Sequence, residues 1–198
     1  AVLARLGPAW AGLAALPLHR GLVEAGRQLG ALARPSRERL PLERAAFIGL
    51  PGAGRTTALC KWLALEVFRH GRKGHVVTAE FDRPNPPGVL PVFCEALGVP
   101  LAHFPALTQP AAPGNFVYFD LPGISLRDPG ANSAIAAFVD REAIKHRVLV
   151  LNAAYDPAVL AAARAAGREL GATHVALTHL DELGRWGRLW DHLLDDGL

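Results

Sequence analysis

The chain has 198 residues, 51% of them hydrophobic and 20% charged, which suits a packed domain with a small appendage and excludes a disordered chain. Its net charge of +3 permits an anionic partner without demanding one, and of its 21 basic residues only Lys61, Lys73 and Lys145 are not Arg. Cys60 and Cys94 stand alone without metal-ligand spacing, and no apolar run reaches the roughly 18 residues of a membrane span, so zinc and a transmembrane segment are excluded.

Residues 1–42 read as helical. Leu3, Leu6, Trp10, Leu13 and Leu16 recur at helical spacing, and after Pro17 a second run carries Leu22, Val23, Leu29 and Leu32. Pro35 and Pro41 close this region. From Ala45 the pattern changes, and strand-length apolar runs alternate with longer helical stretches. The predicted strands are Ala46–Leu50, His75–Ala79, Phe116–Asp120, Arg147–Asn152 and His174–Thr178. The predicted helices are Thr56–Phe68, Gly88–Leu97, Ala131–Lys145 and Pro157–Leu170, and Gln109–Asn115 is a loop. Such alternation means βαβ units and a mostly parallel sheet covered on both faces. Ligands of such sheets bind at the carboxyl ends of the strands.

Directly after the first strand comes Gly49-Leu50-Pro51-Gly52-Ala53-Gly54-Arg55-Thr56-Thr57, followed by a helix. This is the phosphate-loop pattern G-x-x-x-x-G-K-[ST] with Arg in place of Lys. Glycines let backbone N–H groups wrap phosphate oxygens, and the helix N-terminus favours negative charge. The Thr56 hydroxyl is the expected magnesium ligand. Arg is longer and planar where Lys is a compact charge, so Arg55 is expected to bind phosphate in a different pose.

The sequence resembles the signal-recognition-particle class of GTPases, the group of Ffh, FtsY and FlhF. Gly49–Thr57 with Lys61, Leu63 and Ala64 looks like the family's G-x-x-G-x-G-K-T-T loop and following helix. Glu80-Phe81-Asp82-Arg83 falls where the family has D-T-x-R, and Leu97-Gly98-Val99-Pro100 ends that segment as the family does. Asp120-Leu121-Pro122-Gly123 stands at the family's D-T-A-G-R, with Ile124 for its Arg. Thr178-His179-Leu180-Asp181-Glu182 looks like T-K-L-D-E, with His for Lys. Asp156-Pro157-Ala158 opens a helix much as FlhF-like proteins do.

The resemblance implies an α/β, three-layer phosphate-loop NTPase fold. A helical N-domain remnant would span residues 1–42 and a GTPase domain residues 43–198, cut short at its C-terminal end. It implies GTP/GDP and Mg²⁺ as cofactors. Gly49, Gly52, Gly54, Arg55, Thr56, Thr57, Thr178, His179 and Asp181 would hold the nucleotide, and Thr56 and Asp120 the metal. Glu80, Arg83 and Gly123 would serve the reaction. Asp181 can accept two hydrogen bonds from guanine that adenine cannot supply. Expected partners are a guanine nucleotide and a second copy or a related GTPase, with peripheral association at the inner membrane of an otherwise cytoplasmic protein, and no nucleic acid. The chain contains no Met, and we read it as a fragment, a processed chain or an edited one, without a signal peptide.

Each of these residues also has a plainer use. The glycine loop can simply join strand to helix, Asp181 can cap a helix, Asp120 can start a turn, and Arg83 and Glu80 can be solvated charges. Trp62 and the Trp186/Trp190 pair suit core or interface, and the remaining His residues suit structural or exposed positions. Arg55, Glu80, Leu121, Ile124 and His179 together alter phosphate, catalytic and base contacts, so weak or lost GTP hydrolysis is expected. Three functions follow from the sequence: a GTP-binding switch or partner module in protein targeting or flagellar placement; a pseudo-GTPase scaffold that binds a protein without nucleotide; and a phosphate-loop ATPase or small-molecule kinase, against which Thr178–Asp181 argues.

Overall fold

The computed structural model describes residue 7 and residues 9–32, 41–81, 85–86, 88–104 and 113–189. Leu3, Leu6, Pro35, Arg83 and Trp190 therefore lie outside the described residues, as does most of the Gln109–Asn115 loop. The chain divides into two compact units, Ala1–Glu38 with Leu183–Gly197, and Arg39–Glu182.

In the first unit, α1 (Ala9–Ala14) and α2 (Leu18–Leu32) pack on each other after a break at Pro17, which lacks the N–H a continuous helix would need. Leu13 and Leu29 are buried, as their spacing predicts, whereas Leu22 and Val23 are exposed.

The second unit is built on six parallel strands: β1 (Arg44–Gly49), β2 (Gly74–Thr78), β3 (Leu101–His103), β4 (Phe116–Asp120), β5 (His146–Asn152) and β6 (His174–Thr178). Their order in the sheet is β3-β2-β4-β1-β5-β6. Five of them match the predicted strands to within two residues at either end. The three-residue β3 is an addition, because an edge strand so short leaves no readable alternation. Helix α3 (Arg55–Ala64) runs on into a π turn, Leu65–Arg69. Then follow α4 (Leu90–Leu97), α5 (Ser133–Arg141) and α6 (Pro157–Glu169). The predicted helix Ala131–Lys145 is thus shorter. Its start is a 3₁₀ turn capped by the Asp128 carboxylate, which accepts from the Ala131 N–H at 3.2 Å.

Strand β4 lies at the centre of this sheet and is buried along its whole length, and its side chains alternate between two cores. Phe116 and Tyr118 join Phe47, Leu59, Leu63 and Leu90 on the α3 side. Val117 and Phe119 join Ile135, Phe138, Leu149 and Leu160 on the other. Because all strands are parallel, the carboxyl ends of β1, β2, β4, β5 and β6 converge on one edge, and the loops leaving that edge carry the candidate site. No helix among the described residues is long and apolar enough to cross a membrane.

Candidate functional site

The loop from Gly49 to Gly54 leaves the end of β1 and turns directly into α3. Gly52 and Gly54 adopt φ of 76° and 80°, a left-handed backbone that side chains disfavour. Gly54 also has no room to spare, since a Cβ there would meet the His179 ring at 3.2 Å. Gly54 caps α3 without a side-chain bond, and its carbonyl accepts from the Ala58 N–H at 2.8 Å. The helix N-terminus therefore opens toward the loop.

Three predicted residues meet beneath this loop. The Thr56 hydroxyl donates to Asp120 Oδ2 at 3.0 Å. Arg55 turns inward, donating from one terminal nitrogen to the Gly49 carbonyl at 3.0 Å and from the other to Asn85 Oδ1 at 3.2 Å. Its Nε lies 3.7 Å from Asp120 Oδ1, close enough to pair charges but too far for a hydrogen bond. Burial pushes the Asp120 carboxyl above its ordinary range, against the opposing pull of Arg55, Thr56 and Asn85. Burial likewise pulls the Arg55 guanidinium down, with Asp120 opposing.

Asn85 is a residue that the sequence reading missed. It is buried and donates to the Asp120 carbonyl at 3.1 Å and to the Thr78 hydroxyl at 3.4 Å. An Asn between Pro84 and Pro86 reads as a turn residue, and no spacing marks it as anything else.

The segment after β4 is stitched to the loop. The Ile124 N–H donates to the same Gly49 carbonyl at 3.0 Å, and a Cβ on Gly123 would lie 2.6 Å from the Pro51 ring. Leu121 and Ile124 are core side chains. At these two positions the polar residues of the resembling family are replaced by packing. Glu80 is exposed just beyond β2.

On the far side of Gly54, β6 delivers Thr178, whose hydroxyl donates to the Ala53 carbonyl at 2.7 Å and to the Leu151 carbonyl at 3.2 Å. His179 follows with φ of 54°, and its Nδ1 lies 2.9 Å from the Thr178 hydroxyl. These residues and the start of α3 enclose a cavity of about 460 Å³, walled by Gly54, Thr57, Lys61, Trp62, His179 and Asp181. Asp181 is exposed at this cavity. Trp62 belongs to the cavity wall and to the core at once, its ring meeting Phe47 edge-on at 5.6 Å. The structure thus brings Gly49, Gly52, Gly54, Arg55, Thr56, Thr57, Asp120, Gly123, Thr178, His179 and Asp181 around one loop.

Thr56 and Asp120 are the pair that would hold Mg²⁺ through its waters. Donating to the carboxylate leaves the Thr56 oxygen its lone pairs, but the other carboxylate oxygen faces a guanidinium. A dication at that place would sit against a fixed positive charge, so this arrangement does not fit a hydrated Mg²⁺.

Solved structures share the fold. FlhF in complex with GTP and Mg²⁺ matches with a TM-score of 0.74 and 18% identity, over 98% of this chain and 77% of that one. The signal recognition particle receptor FtsY from Elizabethkingia anophelis in complex with GDP matches with a TM-score of 0.65 and 18% identity, over 100% of this chain and 70% of that one. The 54 kDa signal recognition particle protein from Aeropyrum pernix K1 in complex with GDP matches with a TM-score of 0.66 and 16% identity, over 88% of this chain and 44% of that one. The chain has the fold of signal-recognition-particle-type GTPases. No protein-family model and no curated protein matches its sequence.

Proposed function

We propose that this chain is a guanine-nucleotide-binding domain with weak or lost hydrolysis, acting as a switch or as a partner module beside a related GTPase. The observation that carries this reading is the 460 Å³ cavity against the phosphate loop, with Asp181 at one wall and the α3 N-terminus at another. A purine would lie in the cavity, its ring N–H and amino group donating to Asp181, while its phosphates reach the N–H groups of Gly52–Thr57. His179 and Trp62 line the same cavity and would pack against the base. The similar structures named above as complexes hold GTP or GDP, which supports the same ligand here.

Loss of hydrolysis is supported by Leu121 and Ile124, which are buried hydrocarbon where a reaction would want polar groups near the phosphates. Calorimetric titration tests the reading. GDP and GTP should bind, and ATP should bind at least about tenfold more weakly, since hydrogen bonds to a charged acceptor contribute roughly 1.5–3 kcal/mol each. A folded sample that binds neither guanine nucleotide at millimolar concentration would leave the scaffold function in its place.

A further inference from the structure

We propose that this chain binds a nucleoside triphosphate without a divalent cation, the Arg55 guanidinium supplying the positive charge at that place. The proposal rests on the nucleotide-binding reading above and concerns the ion that accompanies the ligand.

One carboxylate oxygen of Asp120 accepts from Thr56 at 3.0 Å, and the other faces Arg55 Nε at 3.7 Å. The carboxylate that would hold a metal's waters is therefore already paired with a cation. Asp120 and Asn85 are buried, and the Arg55 side chain is only 10% exposed, so this is a built cluster and not a surface encounter. Asn85 fixes the guanidinium from one side and the Gly49 carbonyl fixes it from the other.

The pairing is also incomplete. Arg55 Nε and Asp120 Oδ1 are both buried without a hydrogen-bond partner among the described residues. A buried N–H donor of a cation is thus left over beneath the loop. Guanidinium stays protonated and presents several donors in a planar fork, a geometry that matches phosphate oxygens. Mg²⁺ would have to dislodge this cation and shed waters that it gives up reluctantly. A Lys at this position has neither the reach nor the fork to hold Gly49, Asn85 and Asp120 together.

The test is calorimetric titration of the full chain with GMPPNP, once in magnesium chloride and once in EDTA. The expected Kd values agree within about threefold, less than the tenfold that 1.4 kcal/mol would make. A loss of tenfold or more in EDTA overturns the proposal and leaves the nucleotide reading standing. Absence of binding in both buffers overturns the nucleotide reading and the proposal with it. The Arg55→Lys variant, checked for folding by its melting curve, should acquire a requirement for magnesium of tenfold or more. If that variant folds and remains indifferent to EDTA, Arg55 is not the substituting cation. If it does not fold, the comparison on the unaltered chain decides.

Discussion

In the proposed function base selection turns on Asp181, and its exposure makes it a clean probe. It stands in the 3₁₀ turn Leu180–Glu182 after β6, where it supports no core packing. Asp181→Ala should weaken GDP binding by about tenfold or more, because two hydrogen bonds to a charged acceptor are lost together. The melting temperature should stay within a degree or so, as for other exposed substitutions of about ±0.5 kcal/mol. Affinity measured by titration and stability measured by calorimetry separate the two effects. Equal affinity in the variant would remove Asp181 from the base pocket. That Gly52, Gly54 and Thr56 fall on one loop at the end of β1 was legible from the phosphate-loop spacing, whereas Asp181 was singled out by resemblance alone. Asn85 was not legible, since its role depends on contacts with Asp120 and Arg55 about thirty residues away in sequence. The inward turn of Arg55 was not legible either, because it depends on where Asn85 and Asp120 end up.

At the scale of elements, the end of α3 carries the most consequential polar network. Trp62, Glu66 and His70 fall four residues apart and share a helix face. Glu66 is buried and accepts from Arg72 at 2.8 Å, from the Tyr118 hydroxyl at 2.8 Å and from the Trp62 indole at 3.0 Å, with His70 at 3.2 Å. Burial pushes this carboxyl up, and the four hydrogen bonds together outweigh it and hold it below its ordinary value of about 4.5. A group whose pKa is lowered by folding stabilises above its unfolded value, and that stabilisation is lost as pH falls through the folded value. The melting temperature should therefore drop as pH falls below about 4.5, and Glu66→Gln should flatten that part of the curve. Glu66→Ala should cost about 1.5–3 kcal/mol in chemical denaturation, because it removes the charged acceptor of Arg72, which keeps the Leu42, Gly114 and Asn115 carbonyls, and the acceptor of the half-buried Trp62 indole. A loss under 1 kcal/mol would show that water satisfies these groups instead. The i, i+4 spacing could be read in advance, whereas the π turn at Leu65–Arg69 could not, since it reflects tertiary contacts more than local preference.

For the whole molecule, the consequence of an all-parallel sheet is that distant segments meet at one edge. Residues 49–57, 120–124 and 178–181 are far apart in sequence, and the order β3-β2-β4-β1-β5-β6 brings them to the same edge of the sheet, at the ends of β1, its neighbour β4 and, one strand beyond β5, β6. A ligand seated there couples to the fold as a unit. Guanine nucleotide at 100 times its Kd should stabilise the chain by about 2.7 kcal/mol, read as a rise of several degrees in melting temperature. ATP at equal concentration should give a smaller rise, and identical shifts would argue against the base pocket. The alternation of strands and helices and the glycine loop after β1 could be read from the residues alone, because they follow from local periodicity and from chemistry at fixed spacing. That Leu121 and Ile124 are core, and that Trp62 serves core and cavity together, depends on which strands and helices pack against one another. The tertiary structure also decided that Arg55 lies beside Asp120, because two charges are placed together by the packing of β1, β4 and the loop over them, which no local spacing encodes.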